Sequence, residues 1–270
     1  MDKSYDLVIR VGNFYVRGAL FYLDVISTTF HFKVLDDLSI NIKKELFEKN
    51  IKAALICSNN ENVAKIIKDA LMDLSIDTHV IDPNNLSIKL DVENPKEIGM
   101  GRIANAYGAL FSHPYTDNIV IDMETALTID VITKEKIFLG GVICPSMMLS
   151  AKALNAFTDK LPMIKLEKPK SCLSRSINEN IQSGIYYGLV GTIEKIVEEL
   201  ISLRFSHSEI NVIATGSLAG YSDAEEDFLN LKNELEKDLK IVVDYFEPDL
   251  TFLGIYQILK EQVFQKIYKK

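Results

Sequence analysis

Leu7-Val8-Ile9-Arg10-Val11-Gly12-Asn13 can be laid residue for residue over Ile119-Val120-Ile121-Asp122-Met123-Glu124-Thr125. In both stretches three branched apolar residues run into a tight polar turn. A further strand follows each turn, Val16–Leu20 in one case and Thr128–Ile132 in the other. Farther along, Ala53–Ile56 enters Cys57-Ser58-Asn59, much as Asn211–Ala214 enters Thr215-Gly216-Ser217-Leu218-Ala219-Gly220. Apolar triplets before turns are common, so the weight lies on the order: strand–turn–strand, then strand–loop–helix, twice over. The expected fold is α/β, with two duplicated halves, each a mixed sheet flanked by helices. The boundary is expected in the polar stretch His113–Asn118, giving halves 1–115 and 116–270.

Helix signals fill the space between these strands. Ser58-Asn59-Asn60-Glu61 supplies capping residues ahead of a helix over Asn62–Leu74, where Val63, Ile66, Ile67, Ala70 and Leu71 recur at helical spacing. Ile103–Phe111 is small and apolar, as a buried helix is. Asn178–Ser202 reads as a long helix, Ala224–Asp238 as a charged surface helix and Leu250–Tyr268 as a closing amphipathic one.

Composition bounds the function. The 270 residues are 47% hydrophobic, enough for a sizeable core and too many for a disordered chain. Thirty basic against 38 acidic residues leave a net charge of −8, and no dense basic run is present to neutralise phosphates. A nucleic-acid partner is therefore not expected. The basic cluster Lys266, Lys269 and Lys270 reads as a solvated helix end. Cys57, Cys144 and Cys172 form neither a disulfide framework nor a CxxC pair, which points to a reducing, cytoplasmic setting. His31, His79, His113 and His207 lack metal-ligand spacing, so satisfied or exposed histidines are expected. The opening Met1-Asp2-Lys3-Ser4-Tyr5-Asp6 lacks an apolar signal core. Ile137–Leu154 is interrupted by glycines, a proline and a lysine, so no membrane partner is expected.

Paired strand–turn–strand units suit the holding of a nucleotide's phosphates from opposite sides. Backbone N–H groups in such turns make anion nests, and small residues let a phosphate approach. Gly12-Asn13 and Thr125-Ala126 are the candidate turns, with Thr215-Gly216-Ser217 towards the sugar. For Gly12-Asn13 an ordinary Asn-containing turn remains open beside this reading.

The chain resembles the type III pantothenate kinases, the family that includes the Bvg accessory factor. The likeness runs from about Leu7 to Ile258 and is carried by separate stretches in order. These are Pro95–Ala106 (PKEIGMGRIANA), Gly140–Pro145 (GGVICP), Ser150–Leu154, Lys160-Leu161-Pro162, Gln182-Ser183-Gly184, Thr215–Ala219 and Pro248–Thr251. The resemblance implies the duplicated fold of acetate and sugar kinases, Hsc70 and actin, a ribonuclease H-like architecture. It implies ATP-dependent phosphorylation of pantothenate, the first step towards coenzyme A. It also implies ATP with Mg2+, a monovalent cation (K+ or NH4+), and a homodimer with the substrate site at the subunit interface. Carried over by motif, Gly12, Asn13, Thr125, Thr215 and Gly216 would contact nucleotide. Gly99 and Arg102 would contact substrate, Arg102 through the carboxylate that its planar fork suits. Asp122 would bind the monovalent cation.

The same motifs expose departures. The family's Asp-x-Gly-Asn-Thr, whose Asp helps to hold the magnesium–phosphate group, reads Arg10-Val11-Gly12-Asn13-Phe14. Its Gly-x-Asp-Arg, whose Asp is the base, reads Gly99-Met100-Gly101-Arg102. Its Asp-Phe-Gly-Thr-Ala-Thr reads Asp122-Met123-Glu124-Thr125-Ala126-Leu127, a substrate threonine is replaced by Ile177, and Thr-Gly-Gly becomes Thr215-Gly216-Ser217. No residue is assigned as catalytic, because Gly101 stands at the base position. Loss of a positioned base costs about 10²–10⁴-fold. Arg10 has no oxygen to offer a metal, and Glu124 sets a negative charge where a polyphosphate would lie.

The expected function is therefore a kinase-family protein with little or no turnover, acting by binding, with an active kinase paralogue as a partner. The rival is an active kinase with a shifted base, for which Glu97 and Glu124 are the nearby acids, or a kinase of another small carboxylic acid. A transcription-related role follows from the family name only, and the acidic charge argues against DNA contact. Arg10 facing Asp122 or Glu124 across the paired turns is one expectation, and two unrelated substitutions the other. Cys144 is expected as a buried small residue, and Tyr186-Tyr187 as packing for a helix or dimer face.

Overall fold

In the computed structural model, which describes residues 3–204, 209–216 and 225–264, three antiparallel strands open the chain. They are β1 (Tyr5–Val11), β2 (Tyr15–Tyr22) and β3 (Val25–Lys33). Helix α1 (Leu38–Leu46) leads to β4 (Ile51–Ser58), α2 (Glu61–Asp73) and β5 (Thr78–Val80). The sheet order is β3-β2-β1-β4-β5, with β4 parallel to β1. Asn60 caps α2, its side chain accepting from the Val63 N–H, which is why the helix begins beside the predicted capping residues. Leu7, Ile9, Val16, Leu20, Ile42, Ile56, Ile67 and Leu71 fill the core on this side.

The pattern then recurs. A short β6 (Lys89–Leu90) and α3 (Met100–Ser112) precede β7 (Asp117–Met123), β8 (Ala126–Ile132) and β9 (Ile137–Pro145). After these come α4 (Met147–Phe157), α5 (Ile177–Arg204), β10 (Ile210–Thr215), α6 (Glu225–Leu239), β11 (Tyr245–Phe246) and α7 (Leu250–Leu259). The second sheet runs β11-β10-β7-β8-β9-β6. Its first five members repeat the first sheet's order in reverse listing: β7, β8, β9, β10 and β11 stand where β1, β2, β3, β4 and β5 stand. This is the ribonuclease H-like sheet twice, in the duplicated α/β architecture of the actin-like kinases.

The two hairpins at the heart of the duplication differ by one residue. Val11 pairs with Val16, and Gly12 N–H donates to Tyr15 O at 2.9 Å. Met123 pairs instead with Leu127, and Glu124 N–H donates to Ala126 O at 3.2 Å. The second turn is one residue shorter, so Leu127 and not Thr128 is the counterpart of Val16.

The chain divides into two compact units. One comprises the segment to Pro114, Glu135–Leu139 and the segment from Asp249; the other comprises Tyr115–Lys134 and Gly140–Pro248. The C-terminal helix thus belongs with the first unit. The reason is backbone-to-backbone packing: a Cβ at Gly254 of α7 would stand 1.7 Å from Ala104 O of α3, and one at Gly108 would stand 2.3 Å from Leu250 O. Helix α7 is buried on most sides rather than amphipathic, and after Leu259 it opens into a π-helical turn over Lys260–Phe264. The remainder of the helix expected to Tyr268, with Lys266, Lys269 and Lys270, lies outside the described residues, as does His207. No helix among the described residues is long and apolar enough to cross a membrane.

Candidate active site

In the first unit the Gly12-Asn13 turn joins β1 to β2, with Asn13 exposed. Arg10, two residues before it, is half-buried on β1. Its Nη1 donates to Thr251 Oγ1 at 3.3 Å, and the Thr251 hydroxyl donates to Asn105 Oδ1 at 2.6 Å. Asn105 and Thr251 are only 1% and 4% exposed, so this chain of hydrogen bonds fixes the guanidinium from below. The strand register sets Arg10 opposite Arg17 on β2 and Cys57 on β4. Burial pushes the Cys57 thiol up to about 12, against the opposing pull of Arg10, so Cys57 is an inert core thiol and not a nucleophile.

Gly101 lies in the first turn of α3. A Cβ built there would stand 3.4 Å from Arg10 Nη2 and 3.7 Å from Nε. The nearest group to the missing side chain is thus a guanidinium. Arg102 follows, half-buried, with its guanidinium 5.6 Å over the centroid of the fully buried Phe138 ring. Gly99 is the N-cap of α3 and brings no side chain of its own. Asn59, from the β4–α2 loop, takes that part: its Oδ1 accepts from Met100 N–H at 2.9 Å. Glu97 is exposed in the short turn Pro95–Glu97 and accepts from Asn94 Nδ2 at 2.6 Å.

In the second unit β7 and β10 run parallel and end together, Thr215 opposite Asp122. Asp122 is 4% exposed. Gly216 follows with φ +91°, and its Cα hydrogens face Asp122 Oδ1 and the Met123 backbone. Thr215 Oγ1 is buried with no hydrogen-bond partner, an orphaned hydroxyl at the carboxyl end of parallel strands, where open α/β sheets take their ligands. Beside it a crevice is walled by Leu235, Phe246 and Pro248, with Lys232 and Glu236 at hand. Thr125 is half-buried in the β7–β8 turn. The Ser217-Leu218-Ala219-Gly220 part of this motif lies outside the described residues.

A family model for type III pantothenate kinases matches residues 6–199. The chain belongs to the type III pantothenate kinase family. A type III pantothenate kinase of Legionella pneumophila (strain Paris) is 34% identical over 260 residues, covering 92% of this chain and 96% of that protein. One from Finegoldia magna is 32% identical over 262 residues, covering 90% and 98%. Among solved structures, the ethanolamine utilization protein EutJ of Carboxydothermus hydrogenoformans aligns with a TM-score of 0.51. It is 16% identical, over 93% of this chain and 88% of that one, a likeness of fold.

Membership of this kinase family implies ATP and Mg2+. A guanidinium offers only donors, so position 10 does not fit a divalent cation. Among the described residues no group of three or more His, Cys, Asp or Glu is placed to hold a metal ion. At the ends of β7 and β10 the orphaned Thr215 hydroxyl and the crevice beside Gly216 do fit a polar ligand with an apolar face.

Of the remaining expectations, Cys144 is half-buried rather than buried, lining an apolar groove between α4 and α5. Tyr186 is fully buried and donates to Asp238 Oδ2 at 2.8 Å, while Tyr187 is 38% exposed. His79 Nε2 lies 3.1 Å from Asp77 Oδ1, and His31 meets the Tyr15 ring edge-on. The sequence reading missed Asn59 and the Asn105–Thr251 pair. The available signal was two successive asparagines ahead of α2, of which one is needed there.

Proposed function

We propose that this chain is a type III pantothenate kinase homologue that binds a nucleotide and a pantothenate-like carboxylate but turns them over poorly or not at all. The observation that carries this reading is Gly101: the position where the family places its base offers no proton acceptor, and the group beside it is the Arg10 guanidinium. A guanidinium stays protonated at any working pH and accepts no proton from a hydroxyl. Glu97, one of the two acids of the rival reading, is exposed and accepts from Asn94. Arg102, whose guanidinium rests on the Phe138 face, is assigned the substrate carboxylate. Asp122 is assigned a monovalent cation; Thr125, Thr215 and Gly216, with Gly12 and Asn13, are assigned the nucleotide.

The chain is further assigned as a homodimer acting in the cytoplasm. Helix α5 supports the dimer. Gly184, Gly188 and Gly191 lie exposed along it, and a Cβ at any of them would meet nothing within 4 Å. Beside them the α4–α5 groove of about 770 Å³ is lined by Ile177, Ile181, Ile185 and Leu189. Small residues on a helix let a second helix approach closely.

The deciding experiment is calorimetric titration with Mg·ATP and, separately, with pantothenate, beside a phosphorylation assay in potassium buffer. Binding without phosphopantothenate is the expected result. Phosphopantothenate formed at rates ordinary for a kinase overturns the reading and requires a base elsewhere.

A further inference from the structure

Two departures that look independent in the sequence meet in space. Arg10 stands on β1 and Gly101 on α3, and the distance from Nη2 to the absent Cβ is an ordinary van der Waals contact of 3.4 Å. The guanidinium is also fixed. Thr251 holds Nη1, Asn105 holds Thr251, and both are buried. Arg10 faces Arg17 across the strand pair, a like-charge register that alone disfavours a second arginine. An arginine retained there in a built cradle has a local role.

We infer that Arg10 and Gly101 are one compensated exchange, in which the guanidinium stands beside position 101 and would engage any acidic side chain that α3 placed there. The inference rests on the proposed function only in taking position 101 as the family's base position. Two consequences follow from the geometry. A Cβ introduced at 101 meets the guanidinium in ordinary van der Waals contact, so a carboxylate carried on it lies within reach of Arg10. It is then an ion-pair partner and hydrogen-bond acceptor, no longer a base free for a substrate hydroxyl. Restoring the base alone therefore does not restore turnover. Arg10 is in this sense a positioning residue that decides what a side chain at 101 can do.

The test is a double-mutant cycle on the full chain, read by thermal melting, with Arg10→Gln as the neutral background and Arg10→Lys as the conservative one. Gly101→Asp gains something in any background, because an acid in the first turn of a helix and the loss of a helical glycine both stabilise. The cycle removes that common part. In the Arg10 background Gly101→Asp is expected to raise Tm by roughly 2–4 °C more than in the Arg10→Gln background. Arg10→Lys is expected to recover part of the difference. Equal Tm shifts in the Arg10 and Arg10→Gln backgrounds overturn the exchange and leave the proposed function standing. Turnover restored by Gly101→Asp alone overturns it as well. Efficient turnover by the unaltered chain overturns the proposed function and leaves the cycle's result intact.

Discussion

Gly216 and Asp122 touch where two parallel strands end: Gly216 holds φ at +91°, and a Cβ on it would stand 2.4 Å from Asp122 Oδ1. Only glycine satisfies both conditions at once, the left-handed backbone and the absent side chain. The contact sets where the Asp122 carboxylate sits relative to Thr215.

Gly216→Ala is accordingly expected to cost about 1–3 kcal/mol from backbone strain alone. The Asp122 clash adds to this and turns the carboxylate away, so nucleotide affinity falls together with stability. Urea denaturation and nucleotide titration of the same variant check both. A change in stability of less than about 0.5 kcal/mol, the ordinary surface effect, contradicts the close approach.

The duplication was legible because each half spends its branched apolar residues on the same strand–turn–strand order, a periodicity the side chains carry themselves. The one-residue difference between the hairpins was not legible. Polar turn residues accept either length, and the register is set by the pairing of Met123 with Leu127. The allegiance of α7 was hidden for another reason: it depends on Gly108 and Gly254 meeting across two helices far apart in sequence. At the site, Arg10 and Gly101 read as two losses, since only the fold shows that the guanidinium lies beside position 101. The lone asparagine that caps α3 was visible as one of a pair but not as a cap for a different helix.

Two glycines of similar helical setting should respond in opposite ways. At Gly254 an added Cβ would meet Ala104 O at 1.7 Å and Gly108 N at 2.8 Å, so Gly254→Ala forces α3 and α7 apart. Overpacking of this kind costs typically about 1–3 kcal/mol, and contact with the α3 backbone rather than with a yielding side chain places this variant at or above the upper end. Gly188 on α5 has nothing within 4 Å, so Gly188→Leu leaves the folded monomer undisturbed while blocking a facing helix. Melting curves and light scattering on the two variants separate the effects: Gly254→Ala is expected to lower Tm, and Gly188→Leu to shift the proposed dimer to monomer. A Gly188→Leu protein that keeps its dimer rules out α5 as the interface.

Asn59 supports α3 from outside the helix, and Met100 N–H has its side-chain acceptor there. Asn59→Ala is expected to cost about 1 kcal/mol, the usual value of a lost cap. Asn59→Asp keeps an acceptor, adds a favourable charge at the helix start, and is expected to recover most of the loss. Because α3 also carries Gly101 and Arg102, affinity for the carboxylate substrate should fall in Asn59→Ala and return in Asn59→Asp. Chemical denaturation with substrate titration tests the pair; equal stability of Asn59→Ala and the unaltered chain contradicts the capping role.

The second unit holds an ion-pair group whose pH dependence has a definite sign. Lys168 Nζ reaches Asp238 at 2.9 Å and Glu234 at 3.1 Å, while Tyr186 donates to the same Asp238. The bond from Lys168 holds the Asp238 carboxyl below its ordinary range; Lys237, and then Lys168, does the same for Glu234. Asp238, then Glu234, raises Lys168 in turn. For the carboxylates, with folded values below unfolded ones, the contribution is complete above the ordinary carboxylate range and lost as pH falls through the lowered values. For Lys168, with the folded value raised, it is complete below the ordinary lysine value and lost as pH rises through the raised one. Lys168→Met is therefore expected to flatten both limbs of a Tm-against-pH curve. The loss at neutral pH should be small, because the group is partly exposed and screened by solvent. Its acid limb should keep a residual slope from Lys237 and Tyr186. An acid limb as steep in Lys168→Met as in the unaltered chain would show that the pair contributes nothing.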